Sequence, residues 1–313
     1  LYLSFPALSY LLLKEVESWR SRIFFIFVLT FSLTFVALDN FYWGQVNILV
    51  TFLVLSSLVL TTINRSRLSA LFLTLAIFTK MTPAFYLFYF LYQKKYREIV
   101  YTVFFSLSIF LLTYFSGKEN WLMFLQVIQD VGNTQTVIRG LMPTDISGNL
   151  SLNGLVARIL PFSFSYKREI LYFLNSTMIT ICAYLAYLNR QKPKSEIFFL
   201  QLTIISILVT PMTWYHHFTA LYPAGILLFL ETFRKNIFKE RKLFFSMYFI
   251  CLMTLSRITN LLVTQLQTGW FFPSLLNSLH TMMILLLFVF TIFNGKKLEN
   301  SEGEKSPSVE KCL

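Results

Sequence analysis

The sequence predicts an all-α polytopic membrane protein, on three observations: its apolar content, the length of its apolar runs and the basic clusters between them. Of 313 residues, 56% are hydrophobic, and the mean hydropathy is +0.61. A soluble domain of this size could not bury that much apolar surface, so lipid is expected as the main solvent. Apolar runs recur at residues 1–13, 23–38, 46–63, 68–92, 99–115, 170–188, 197–209, 218–233, 243–262 and 275–293. That gives about ten transmembrane segments, since a crossing takes roughly 17–25 apolar residues.

The net charge of +12 is spread over small clusters at the ends of these runs, such as Arg65 with Arg67, Lys94 with Lys95 and Arg97, and Lys239 with Arg241 and Lys242. Dispersed in this way the charge sets topology: the clusters and the C-terminus are expected in the cytoplasm, and no nucleic acid is expected as a partner. Cys182, Cys251 and Cys312 lie far apart without ligand spacing, so neither disulfide nor zinc is inferred. The chain opens on Leu1 in an apolar stretch without a charged leader, and is expected to be N-terminally incomplete.

Residues 1–293 thus read as one integral membrane domain, with a large extracytoplasmic loop at about 116–168 and a polar, disordered cytoplasmic tail at 294–313. Within the loop, residues 120–131 read as an amphipathic surface helix. Residues 68–92 have basic clusters on both sides but too few residues for two full crossings. A broken hairpin with Lys80 and Pro83 at its turn satisfies this, the alternative being one tilted helix with a snorkelling lysine.

Four polar groups stand out on the expected outer side. GQVN, with Gln45 and Asn47, follows the aromatic run Phe41 to Trp43; its carboxamides either bind a hydroxyl-rich ligand or cap a helix. KMTP carries Lys80, suited to a phosphate as a point charge. GNLSLNGLVAR places Gly154 and Arg158 on one helix face, with Asn149, Ser151 and Asn153 at its start as caps or as ligands to an anion. TPMTWYHH holds Trp214, His216 and His217. Adjacent histidines cannot both face one way on a helix, so one is expected to point inward and no metal site is inferred.

In this order and on this side, the four motifs resemble the membrane glycosyltransferases of family 87, with a likeness running from about residue 1 to 290. Even the opening LYLSFPAL looks like a reduced form of that family's Tyr-Pro-Pro segment, here Phe5 and Pro6. The resemblance implies a GT-C-like bundle in the cell membrane. It implies transfer of a hexose, by family habit mannose, from a polyprenyl-phosphate donor to a lipid or glycan acceptor on the extracytoplasmic face. Lys80, Arg158 and one of His216 or His217 would hold the phosphate, while Gln45, Asn47, Asn153 and Trp214 would orient the sugar; no cofactor is implied. The family's key aspartate lies upstream of the Tyr-Pro-Pro segment, before this chain begins. Among the outer carboxylates present, Asp39 and Asp145 are then the ones placed to act as base. A lipid-linked sugar flippase and a non-catalytic subunit of an envelope complex are the competing readings.

Overall fold

The computed structural model describes residues 2–13, 19–42, 44–131, 149–160, 166–189, 196–210, 213, 215–234, 281–289 and 291–292, and its regular elements are all helical. A short 3₁₀ turn, Tyr2–Ser4, leads into α1 (Phe5–Leu12), where Pro6 occupies the first turn and its missing N–H leaves no bond unmade. The run expected as one span at 23–38 is instead two helices, α2 (Trp19–Ser32) and α3 (Thr34–Tyr42), bent by 50°. The Thr30 carbonyl explains the break. It accepts from the Tyr2 hydroxyl at 2.5 Å and from Thr34 Oγ1 at 2.9 Å, so side chains compete for the acceptor that the helix ladder would use.

α4 (Asn47–Thr62) and α5 (Ser66–Thr79) form an antiparallel helical hairpin. Its turn places Asn64 in the left-handed region (φ 58°), and the Arg65 N–H closes back on the Leu60 carbonyl at 2.8 Å. The two helices are tied by hydroxyls. Ser69 Oγ lies 3.0 Å from Ser57 Oγ, 2.7 Å from Thr61 Oγ1 and 2.9 Å from the Ser57 carbonyl, all buried. That pairing sets the register, and continued to the open end of the hairpin it brings Lys80 opposite Asn47.

The break expected at Lys80 to Pro83 is present. Lys80 is extended (φ −158°, ψ 129°), and Pro83 opens a 3₁₀ turn, Thr82–Phe85, that leads into α6 (Tyr86–Tyr92). A second left-handed residue, Lys94 (φ 56°), turns the chain into α7 (Tyr96–Val131). Ser66 Oγ donates to Glu98 at 2.9 Å and Thr74 Oγ1 reaches the Thr102 carbonyl at 3.3 Å, so partners advance together and α5 runs parallel to α7. The chain between them must therefore run back. Residues 68–92 form a broken hairpin rather than one tilted helix.

α7 breaks at Gly117 (φ −163°, ψ 56°). Beyond the break Trp121 folds back: its Nε1 donates to Thr113 Oγ1 at 3.1 Å and its ring meets Phe110 at 4.9 Å. In a straight helix residues eight apart would be about 12 Å apart. The helix expected at 120–131 is this returning arm. Before it, Phe104, Leu107, Leu112 and Phe115 face outward, Phe115 being 83% exposed. Such a stripe suits lipid rather than water.

Among the described residues Tyr96–Gln126, with its break at Gly117, is long and apolar enough to cross a membrane, and the bent pair α2 and α3 is so when taken together. The expected ten spans are not established. α4 has 16 residues and α5 has 14, as does α10 (Glu196–Val209), which gives roughly 21–24 Å at 1.5 Å per residue against a hydrocarbon core of about 30 Å. The span expected at 243–262, the tail at 294–313 and residues 132–148 and 161–165 of the outer loop lie outside the described residues.

α8 (Leu152–Ile159) falls within the stretch expected as the loop, and α9 (Lys167–Asn189) begins at its end. α10, a 3₁₀ turn Tyr215–Ala220, and α11 (Leu221–Arg234) complete the core, with Phe198, Phe199, Phe218 and Tyr222 fully enclosed. Phe199 stacks on Tyr86 of α6 at 4.4 Å. Ser151 caps α8 by accepting from the Gly154 N–H at 3.2 Å. Gly154 is required there for space: a Cβ would fall 2.2 Å from the Asn149 carbonyl oxygen, the same oxygen that accepts from Arg158 Nη1 at 2.7 Å.

Two substitutions test this packing. Gly154→Ala must push the Asn149 backbone off α8, and is expected to cost about 2–3 kcal/mol as an overpacking change, read as a lower unfolding midpoint in detergent. Ser69→Ala removes the hydroxyl shared by Ser57 and Thr61, and is expected to cost about 0.6–1.7 kcal/mol by the same measurement.

Candidate functional site

The open end of the α4–α5 hairpin, the 3₁₀ turn after Lys80, the end of α10 and the 3₁₀ turn before α11 converge on a cavity open to its surroundings. Three of the four motifs contribute to its wall: Asn47 from GQVN, Lys80, Thr82 and Pro83 from KMTP, and Thr210 and His217 from TPMTWYHH. The other lining groups are mainly hydroxyls and small apolar side chains.

Asn47 is the first residue of α4, but it is not the cap. Val46 holds the cap position without a side-chain bond, and the Asn47 side chain is buried and turned to Lys80. Lys80 Nζ donates to Asn47 Oδ1 at 2.5 Å. Among the described side chains no carboxylate pairs with this lysine. Lys80 is half-buried, and withdrawing part of an ammonium from water against a neutral carboxamide is costly, since one dipole replaces only part of a hydration shell; an anion in the cavity would offset that cost. A described floor of hydroxyls lies below: Thr51 Oγ1 donates to Thr219 Oγ1 at 3.1 Å, and Tyr86 OH pairs with Thr203 Oγ1 at 3.2 Å.

His217 of the expected pair lines the cavity. The side chain of His216 lies outside the described residues, as do Trp214, Asp145 and the side chain of Asp39, although the backbone of Asp39 belongs to α3. Gln45 is exposed in the turn after α3, where Gly44 adopts a left-handed φ of 61°, and it does not line the cavity.

The GNLSLNGLVAR segment also stands apart from the cavity lining, and its polar groups organise the backbone. Asn149 Oδ1 accepts from the Ser151 hydroxyl at 2.8 Å and from the Thr213 N–H at 3.0 Å, while the Leu150 N–H donates to the Thr213 carbonyl at 2.6 Å. Arg158, 7% exposed, reaches the Asn149 carbonyl across Gly154. Arg158 and Asn149 therefore pin the strand of chain that carries His217 toward the cavity. Asn153 is buried on α8.

The sequence reading did not single out Thr51, Ser206, Thr210 and Thr219, which line the cavity. A signal was present on α10. Thr203 and Ser206 on the helix and Thr210 just past its end fall at spacings of three and four, one row of hydroxyls in a mostly apolar stretch.

No curated protein and no solved structure matches the chain. The sequence does match the family described as glycosyltransferase family 87, over residues 2–213. That stretch takes in GQVN, KMTP and GNLSLNGLVAR and ends inside TPMTWYHH. Members of this family are membrane proteins, in keeping with the apolar outer face of α7, and a glycosyltransferase brings together a sugar donor and an acceptor. With two thirds of its length matched, the chain belongs to glycosyltransferase family 87.

Proposed function

We propose that the protein is a multi-pass enzyme of the cell membrane that moves a hexose, mannose by family habit, from a polyprenyl-phosphate donor to a lipid or glycan acceptor on the extracytoplasmic face. The observation that carries this is the half-buried Lys80 ammonium, opening on a cavity beside Asn47 and His217 with a carboxamide as its hydrogen-bond acceptor. Such a group is suited to a singly charged phosphodiester whose lipid tail lies along apolar surface. In the reaction, an acceptor hydroxyl oxygen attacks the anomeric carbon and its proton passes to a base. The bond from that carbon to the phosphate oxygen breaks, and polyprenyl phosphate departs with the electron pair. Lys80 and His217 stabilise the charge gathering on that oxygen. Hydroxyls of Thr82, Ser206 and Thr210 are placed to meet the sugar. Asp39 and Asp145 are the proposed bases, Arg158 acts by holding Asn149, and the C-terminus lies in the cytoplasm.

The test is transfer of radiolabelled mannose from polyprenyl-phosphate-mannose to endogenous lipid in membranes expressing the chain. Lys80→Ala is expected to lower transfer at least 100-fold, at unchanged protein level. His217→Ala is expected to lower it about 10- to 100-fold, as for removal of one transition-state donor, and His216→Ala by much less. Full transfer by Lys80→Ala would overturn the proposal. Passage of intact donor across the bilayer with no sugar transferred would assign a flippase instead.

A further inference from the structure

The Lys80 to Asn47 contact fixes which way the Asn47 carboxamide faces. A protonated lysine can only donate, so the atom 2.5 Å from Nζ has to be Oδ1, and a flipped amide would set two donors against each other. The other end of the carboxamide is then determined. Asn47 Nδ2 is enclosed and makes no hydrogen bond among the described residues, on a side chain 4% exposed that lines the cavity. Val46, not Asn47, caps α4, so helix capping does not account for it. An orphaned buried donor costs about 1–3 kcal/mol, which an acceptor brought by a ligand would offset.

We propose that Asn47 is a two-handed residue of the donor site, resting on the polyprenyl-phosphate reading above. Its Oδ1 positions Lys80, and its Nδ2 donates directly to an oxygen of the same phosphate that Lys80 neutralises. This assigns Asn47 to the anion rather than to the sugar hydroxyls. The clamp is built from the first residue of α4 and the first residue after α5, so the hairpin register sets its width. Its specificity is for a single phosphate. One ammonium and one amide donor match one phosphoryl group, whereas a diphosphate would bring a further charge to a wall on which Lys80 is the one described lysine or arginine.

The experiment is binding of farnesyl phosphate to the purified full chain in detergent by isothermal titration at pH 7.5, with farnesol and farnesyl diphosphate as comparisons. Asn47→Asp keeps an acceptor for Lys80 but removes the donor and cancels the charge. It is expected to weaken farnesyl phosphate binding at least 10-fold while leaving farnesol unchanged. Asn47→Ser, small enough to fold at this helix start, is expected to weaken it about fivefold or more. Native-like farnesyl phosphate affinity in either folded variant, with the native chain preferring the phosphate over farnesol, would overturn the two-handed role and leave the donor reading standing. A native chain that binds farnesyl phosphate no better than farnesol would overturn the donor reading, and the clamp with it. Tighter binding of farnesyl diphosphate than of the monophosphate would overturn the single-phosphate specificity.

Discussion

A lysine placed where lipid-facing helices meet must find a partner, and much of the described bundle follows from how Lys80 finds one. Its partner is Asn47, thirty-three residues away in sequence. The two meet because the turn at Asn64 and the buried hydroxyls of Ser57, Thr61 and Ser69 fix how α4 lies against α5. A slip of one residue in that pairing would rotate Lys80 by roughly 100° around α5 and leave the ammonium in an apolar wall. The polar ladder therefore specifies position more than it adds stability, since interhelical hydroxyl bonds within a membrane contribute only about 0.6 kcal/mol on average.

Proline and side-chain competition then shape what surrounds the lysine. Pro83 cannot continue α5, so the chain opens at Lys80, turns through the 3₁₀ segment and returns along α6. The extended backbone at Lys80 and the open helix ends nearby leave room for a cavity where a continuous helix would have filled it. Outside the lining, Asn149, itself held by Arg158, bonds the Thr213 backbone, which leads into the turn carrying His217. Two helix starts, a broken helix and a pinned connector thus face one another, an arrangement in which irregular backbone is confined to a protein-bounded space.

Some of this is legible in the sequence because it depends on local chemistry. The break at Lys80 to Pro83, the Ser151 cap, the helical arm after Gly117 and the order of the four motifs all follow from residue type and spacing. Side-chain direction is less legible. Arg158 reads as an anion ligand from its charge and its place on the face of Gly154, yet it spends a guanidinium bond on the Asn149 carbonyl because the missing Cβ lets that carbonyl approach. That His217 lines the cavity depends on the tighter rotation of a 3₁₀ turn, and periodicity chosen for an α-helix does not fix it. The bend between α2 and α3 arises from the Tyr2 hydroxyl, a contact at long sequence separation that no local rule contains.

The carboxamide at Asn47 separates a structural role for this cavity from a chemical one. If Lys80 needed only to be accommodated, a carboxylate opposite it would have been the stronger partner, since an ion pair removes the charge altogether. A neutral amide does something different. It holds the ammonium in place through Oδ1, leaves the positive charge uncancelled, and leaves Nδ2 enclosed with no acceptor among the described residues. Both features are unfavourable while the amide and the ammonium lack an acceptor, and become favourable when an anion with several acceptor oxygens enters the cavity. A phosphate has that character, and in a glycosyltransferase the group whose charge grows during the reaction is the departing one. The pair is therefore placed where stabilisation increases along the reaction path, which is where binding energy lowers the barrier rather than merely holding the donor.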